Sequence, residues 1–269
     1  MNILVKNSFG IDSIARSLEE FNHNVFTWND TGNYRELMEN SSGKTIFISL
    51  EESSEYFLRQ VYLHNQKCIF YTNKFYDLKY DNYSIILPFD QKDKIYKSWK
   101  SKTENVYKSF WPIFKNTKTK EDKNKFGGEF NFVFYKKNSQ AISDICKKAI
   151  ENGFKGNILV KTEEKNLYYK GRVSFAEALQ SIMSTTVTII DTKQDDRFIS
   201  CVLENGSLPL IFGKHKQFLS FHDYESFSEI LKKLRTKDFL KSETDKVIEY
   251  CNKHSCQNFY SSIGRCLND

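Results

Sequence analysis

The stretch from Leu167 to Phe212, LYYKGRVSFAEALQSIMSTTVTIIDTKQDDRFISCVLENGSLPLIF, decides the fold class. Tyr168 and Tyr169 read as a strand that breaks at Lys170-Gly171-Arg172, a turn signal. Ser174 can cap a helix, and Glu177 three residues on completes a capping box. Phe175, Ala178, Leu179, Ile182 and Met183 follow at helical spacing. Thr186 to Ile190 is β-branched and ends in Asp191, a strand feeding a polar loop. Val202, Leu203 and Gly206 close a second helix and lead into Leu208-Pro209-Leu210-Ile211-Phe212, an apolar run suited to a buried parallel strand. Strand, helix, strand, helix, strand is half of a doubly wound α/β domain. In such sheets ligands sit beyond the carboxyl ends of the strands. That rule singles out Gly171-Arg172, the loop from Asp191 to Arg197, and Glu204, whose carboxylate can face a ribose. The plain alternative is a capped helix, a solvated loop and a surface glutamate.

The same alternation fills the N-terminal half. Asn2 to Lys6 is a strand, Asn7 to Gly10 a tight turn, and Ile11, Ile14, Ala15, Leu18 and Phe21 a helical stripe. Val25 to Trp28 is the second strand, with Asn29-Asp30 at its carboxyl end. A short helix around Tyr34 to Met38, a strand Thr45 to Leu50, a helix Ser53 to Leu63 and a strand Cys68 to Thr72 complete a second parallel series. The turn at Asn7 to Gly10 has one glycine and not the G-x-G-x-x-G fingerprint, which leaves a nicotinamide or flavin site little support. Nearer the central stretch, Phe130 to Tyr135 is a strand, and Lys136-Lys137-Asn138-Ser139 leads into a helix carrying Ala141, Ile142, Ile145 and Ala149. Two lysines and two small polar residues at a helix N-terminus suit a diphosphate, or else form a charged surface turn. Asn157 to Lys161 and Gln217 to His222 read as strands, Tyr224 to Leu234 and Asp238 to Tyr250 as helices.

The chain of 269 residues has room for two domains, and 23 Phe with 15 Tyr make it globular rather than disordered. No run approaches the ~18 apolar residues of a membrane helix, and MNILVKNSFG reads as strand and turn, not as a secretion signal. Six scattered cysteines fit reduced thiols of a cytoplasmic protein. Cys251, His254, Cys256 and Cys266 match no common zinc spacing, so no metal site is expected, and nothing in the sequence indicates a divalent cation. The net charge is +6, and residues 92 to 125 hold eleven lysines against four acidic residues. Tyr96, Trp99, Tyr107, Phe110, Trp111 and Phe114 are interleaved with those lysines. That composition suits a nucleic-acid groove in which Lys97, Lys100 and Lys108 neutralise phosphates and aromatic rings stack on bases. The aromatics also fall near one helical face, which reads equally as the core side of an amphipathic helix. Lys115 to Gly128, KNTKTKEDKNKFGG, is a polar low-complexity linker and the best domain boundary.

The residues from about 128 to 240 resemble the donor-binding domain of GT-B-fold glycosyltransferases, and the nearest likeness is to phage DNA glucosyltransferases. In that family a turn of the form T-G-K-I-P holds the uracil, and Lys170-Gly171-Arg172-Val173-Ser174 is similar to it. Asp195-Asp196-Arg197-Phe198-Ile199-Ser200 is similar to the family's Asp-rich loop with N-F-I-T, and Glu204 to its ribose-binding glutamate. Gly206 to Ile211 matches the G-x-x-P-[LIV]-[IV] ending of many glycosyltransferases. There are departures: Cys201 competes with Glu204 for the carboxylate position, no arginine stands three before Glu204, and the Lys136 loop has neither glycine nor arginine. The family's general base follows Thr in a Thr-Asp pair, where this chain has Thr72-Asn73. An amide cannot take that proton, which leaves Asp77 or Asp30 as its replacement.

The resemblance implies an α/β chain of two Rossmann-like domains facing a central cleft: residues 1–117 on the acceptor side, 128–245 for the donor, and 246–269 as C-terminal helices that can cross back. It implies a hexosyl- or pentosyltransferase of a bacteriophage, acting in the host cytoplasm as a monomer. The donor would be a UDP-sugar, held by Lys136, Lys137, Asn138, Ser139, Gly171, Arg172, Val173, Arg197 and Glu204. The acceptor would be a hydroxymethylated base such as hydroxymethylcytosine, flipped from double-stranded DNA. A GT-B enzyme acting on a glycan, protein or small molecule, and a non-catalytic nucleotide- or DNA-binding protein of this fold, are the other two readings.

Overall fold

The computed structural model describes residues 2–6, 11–28, 45–49, 55–88, 93–114, 131–136, 140–160, 169–172, 175–191 and 196–268. They divide into two units, Met1–Phe114 with His254–Asp269, and Lys115–Lys253.

The first unit contains β1 (Asn2–Lys6), α1 (Ile11–Glu19), β2 (Asn24–Trp28), β3 (Thr45–Ser49), α2 (Glu55–Leu63), β4 (Lys67–Tyr71), β5 (Tyr83–Pro88), α3 (Asp93–Lys100) and β6 (Val106–Ser109). All six strands pair in parallel, in the order β2-β1-β3-β4-β5-β6. Side chains alternate across the sheet, as the pleat requires. Ile3, Val5, Ile46, Ile48, Ile69 and Ile86 face one helical layer, where Ile14 and Leu18 of α1 are buried. Leu4, Phe47, Phe70, Ile85 and Leu87 face the other, against Phe57, Leu58 and Val61 of α2 and Trp99 of α3.

The end of the chain completes the first of these layers. Helix α9 (Cys256–Asn268, numbered after the second unit's helices) buries Phe259, Ile263, Cys266 and Leu267 in it. Tyr260 stacks on Phe21 at 4.0 Å and its hydroxyl meets Nε2 of His23 at 2.9 Å. Lys67 Nζ donates to the Cys266 carbonyl at 2.9 Å. Where the chain re-enters the unit, Ile113 N–H donates to the His254 carbonyl at 2.8 Å in a one-residue parallel bridge.

The second unit contains β7 (Asn131–Lys136), α4 (Gln140–Glu151), β8 (Lys155–Val160), β9 (Tyr169–Arg172), α5 (Phe175–Met183), β10 (Val187–Asp191), α6 (Asp196–Glu204), β11 (Leu208–Phe212), β12 (Ser220–Phe221), α7 (Tyr224–Leu234) and α8 (Lys237–Lys253). Its strands are again all parallel, in the order β12-β11-β10-β7-β8-β9. Phe132, Phe134, Ile158, Ile189 and Leu210 pack against Ile142, Cys146 and Ala149 of α4 and Phe227 and Leu231 of α7. Val133, Ile190 and Ile211 are buried on the opposite face, which α5 and α6 cover. Asp223 caps α7 by accepting the Ser226 N–H at 2.8 Å, with the reciprocal Ser226 bond completing a capping box.

Three local readings change. Lys170-Gly171-Arg172 is not a turn but part of strand β9. The lysine- and aromatic-rich residues are not one helix: α3 is eight residues long, and Val106–Ser109 is the edge strand β6. Tyr83–Pro88, passed over in the sequence, is the buried strand β5. The expected helix near Tyr34, Asp30 and the linker after Phe114 lie outside the described residues. Among the described residues no helix is long and apolar enough to cross a membrane.

Candidate functional site

Strand order fixes where a ligand can sit. In the second sheet the chain runs β7, β8, β9 to one edge, then returns to β10 beside β7 and continues to β11 and β12. The topological switch point therefore lies between β7 and β10, and the crevice opens beyond their carboxyl ends. Lys136 ends β7 and the helix α4 starts four residues later at Gln140. Asp191 ends β10, and Arg197 stands in the first turn of α6. The N-termini of α4 and α6, the positive ends of two helix dipoles, thus stand on either side of the switch point. Lys137, Asn138, Ser139 and Val173 lie outside the described residues, and of Gly171 and Arg172 only the strand backbone at the end of β9 is described.

Glu204 is placed differently from Arg197. It is the last residue of α6, which runs from the carboxyl edge back to the amino edge of the sheet. At ~1.5 Å rise per residue, seven residues set it about 10 Å farther from the crevice than Arg197. Directly after it, Gly206 adopts φ +77° and the Gly206 and Ser207 N–H groups bond back to Leu203 and Val202, ending the helix. Cys201 lies between the two, and its carbonyl accepts the Asn205 side-chain amide at 2.7 Å.

One segment of this edge carries no family motif and was not singled out in the sequence. Gly213, at φ +105°, follows β11 and donates its N–H to Phe221 at 2.8 Å, closing a short loop between β11 and β12. Inside that loop, Nδ1 of His215 accepts the backbone N–H groups of Gln217 and Phe218, both at 3.2 Å. The ring stacks on Phe218 at 5.0 Å, and Phe218, itself buried, meets Tyr250 of α8 edge-on at 4.8 Å. The signal that could have found it is Gly-Lys-His-Lys immediately after an apolar parallel strand.

In the first unit the switch point lies between β1 and β3, whose carboxyl ends carry the buried Lys6 and Ser49. Asn73 is exposed just past β4. Asp77 is elsewhere: its carboxylate accepts from Lys102 Nζ at 2.8 Å, and Lys102 lies in the turn between α3 and the amino end of β6. Its side chain is 79% exposed. The Lys102 hydrogen bond, helped by the lysine's charge, holds the Asp77 carboxyl below the usual aspartate range. That makes it a weaker base, tied to the edge of the sheet away from the switch point.

The three lysines expected at DNA differ among themselves. Lys97 is exposed on α3. Lys100 Nζ donates to the Glu104 carbonyl at 2.7 Å, and Lys108 Nζ stands 5.0 Å over the Tyr96 ring. Trp99 and Trp111 are core residues on opposite faces of the first sheet, not a stacking platform. Among the described residues no cluster of three His, Cys, Asp or Glu side chains could hold a metal ion.

No protein-family model and no curated protein matches the chain. Solved structures do. A crystal structure of an alpha1,3-fucosyltransferase aligns over 100% of this chain and 90% of its own, at 11% identity and a TM-score of 0.52. An alpha,alpha-trehalose 6-phosphate synthase from Burkholderia multivorans aligns over 99% of this chain and 96% of its own, at 8% identity and a TM-score of 0.58. At these identities the likeness speaks to the fold alone, and the fold is GT-B: two Rossmann-like α/β units in one chain.

Proposed function

We propose that the chain is a glycosyltransferase that moves a sugar from a nucleotide sugar, with a UDP-sugar as the first candidate donor. The observation that carries this reading is the switch point of the second sheet, with Lys136 and α4 on one side and Asp191, α6 and Arg197 on the other. As the bond from the sugar to the diphosphate breaks, the leaving nucleoside diphosphate gains negative charge. The helix dipoles at the starts of α4 and α6, with Arg197 in the first turn of α6 and Lys136 to Ser139 preceding α4 in the sequence, would stabilise it in the transition state. The two glycosyltransferase neighbours share this fold over nearly their whole length, which supports the same reading.

For the acceptor we propose a hydroxymethylated base in DNA as the first to test. Its support is the surplus of seven positive charges in residues 92 to 125, with Lys97 exposed on α3. A glycan, protein or small molecule is the alternative. Of the two aspartates considered as base, Asp30, two residues past β2 in sequence, is carried forward. A binding protein without turnover is the reading favoured by Asn73, an exposed amide at the position where the resembled enzymes have their base.

The test is in two steps. A nucleoside diphosphate at a hundredfold excess over its dissociation constant stabilises the folded state by about 2.7 kcal/mol, so a panel of UDP, GDP and ADP should give one clear thermal shift. Absence of a shift with all three would sink the donor reading. The protein is then incubated with hydroxymethylated DNA and a panel of nucleotide sugars, and the released nucleosides are weighed by mass spectrometry. A mass gain of one sugar supports the DNA acceptor, and Asp30→Asn should abolish it. Donor binding without a mass gain moves the acceptor to the other classes.

A further inference from the structure

We infer that the loop Gly213 to Lys216 holds the phosphate oxygens of the donor, with Lys214 and Lys216 as the contacting cations and His215 as the positioning residue; this rests on the donor reading proposed above. The loop starts one residue past Phe212, which is in register with Asp191 of β10. It therefore stands at the carboxyl edge one strand, about 4.8 Å, from the strand that borders the crevice.

Hydrogen bonds and a ring contact tie the loop together. Its two ends are joined by the Gly213 N–H to Phe221 bond. His215 replaces the missing ladder within it: Nδ1 takes two backbone N–H groups, and the ring lies on the buried Phe218. With Nδ1 accepting, the ring proton sits on the other nitrogen. His215 thus fixes the backbone from which Lys214 and Lys216 project.

The two lysines are exposed, two residues apart, and neither makes an ion pair or hydrogen bond among the described residues. Elsewhere in this unit Lys147, Lys233 and Lys253 each face a carboxylate, from Asp144, Glu229 and Glu249 respectively. Two lysines two residues apart on one short loop carry like charge, and an anion bound between them offsets their repulsion. The sheet topology puts the nucleotide's charged part at this edge, and charge-assisted bonds to phosphate are the strong ones available to lysine. Sequence reading placed the diphosphate only at Lys136 to Ser139, so this assigns it a second wall.

Calorimetry on the full chain with uridine, UMP and UDP tests this, using the guanosine or adenosine series instead if that diphosphate gives the thermal shift. Wild-type affinity should rise with each phosphate. Lys214→Met with Lys216→Met should weaken the diphosphate by roughly tenfold per lysine and leave the bare nucleoside unchanged. Arginine at both positions should restore binding. His215→Asn offers an acceptor oxygen to the same two N–H groups and should keep most of the affinity, whereas His215→Ala should lose it for the diphosphate only. Equal diphosphate affinity in wild type and the double methionine variant overturns the inference while leaving the donor reading intact. So does a loss that is the same for nucleoside and diphosphate, which would mark the loop as merely structural. Failure of the wild type to bind any nucleoside diphosphate overturns both.

Discussion

Gly156 offers a sharp test of how the donor-side sheet is packed. It lies on β8 directly opposite Phe132 of β7, and a Cβ built on it would sit 2.2 to 2.4 Å from three ring atoms of Phe132. Carbon atoms pack at ~3.5–4.0 Å, so the ring would have to move by more than an ångström. It has nowhere to go: Phe132 is fully buried and meets Phe227 edge-on at 5.5 Å. Overpacking of this kind costs about 1–3 kcal/mol. The opposing effect is that Gly→Ala restricts the unfolded chain and stabilises by about 0.4–1 kcal/mol where the backbone allows it. Here the backbone does allow it, because Gly156 is not among the positive-φ glycines. The clash should win, and Gly156→Ala should destabilise by about 1–2 kcal/mol, read as a lower denaturant midpoint at unchanged slope. For a unit of about 140 residues that is a fall of roughly 3–8 °C in melting temperature. In a Phe132→Leu background the offending ring atoms are gone, and the same substitution should cost nothing or stabilise. A Gly156→Ala variant as stable as wild type, or one that costs the same in both backgrounds, would refute the contact.

Three further outcomes follow from the structure. Burial, with the positive N-terminus in a lesser part, lowers the His23 pKa from its ordinary 6.5; the fold therefore favours the neutral ring. Stability should be fully present above pH ~6.5 and fall as the pH drops below it toward the folded-state value, and His23→Gln should flatten that profile in melts between pH 7.5 and 5.5. Asp77→Asn removes an exposed ion pair with Lys102, and both the melting temperature and any transfer rate should stay within error of wild type; a collapse of turnover with donor binding intact would instead make Asp77 the base. Arg197→Met should weaken nucleoside diphosphate binding about tenfold, while Glu204→Gln, at the far end of the same helix, should change it less than twofold in calorimetry; the opposite ranking would mean that the donor reaches down the length of α6.

The parts of the fold legible in the sequence are those where burial leaves a signal in every residue. β11, LPLIF, and β10, VTIID, are central strands covered on both faces, and both stand out as apolar runs. Helix α7 runs over the very residues expected, because Asp223 and Ser226 mark its start chemically. The misread segments β6 and β9 are edge strands. An edge strand has one neighbour and tolerates polar residues, so VYKS passed for the continuation of a helix and YKGR for a turn. β5 was lost for another reason: its five buried residues follow a long polar segment and end in Pro88, and nothing local says what they pair with. The site divides along the same line. Strand ends can be read from sequence, so Lys136 and Asp191 fall at the carboxyl ends of β7 and β10, with Arg197 in the first turn of α6. Which end of a helix faces that crevice depends on helix direction and length, and a motif read along the chain ignores both. Nine residues of α6 carry Glu204 away from the edge that Arg197 occupies. The His215 loop needed a different kind of information again. A histidine between two lysines is unremarkable until the two backbone N–H groups on Nδ1 show that the ring ties together the loop that carries them.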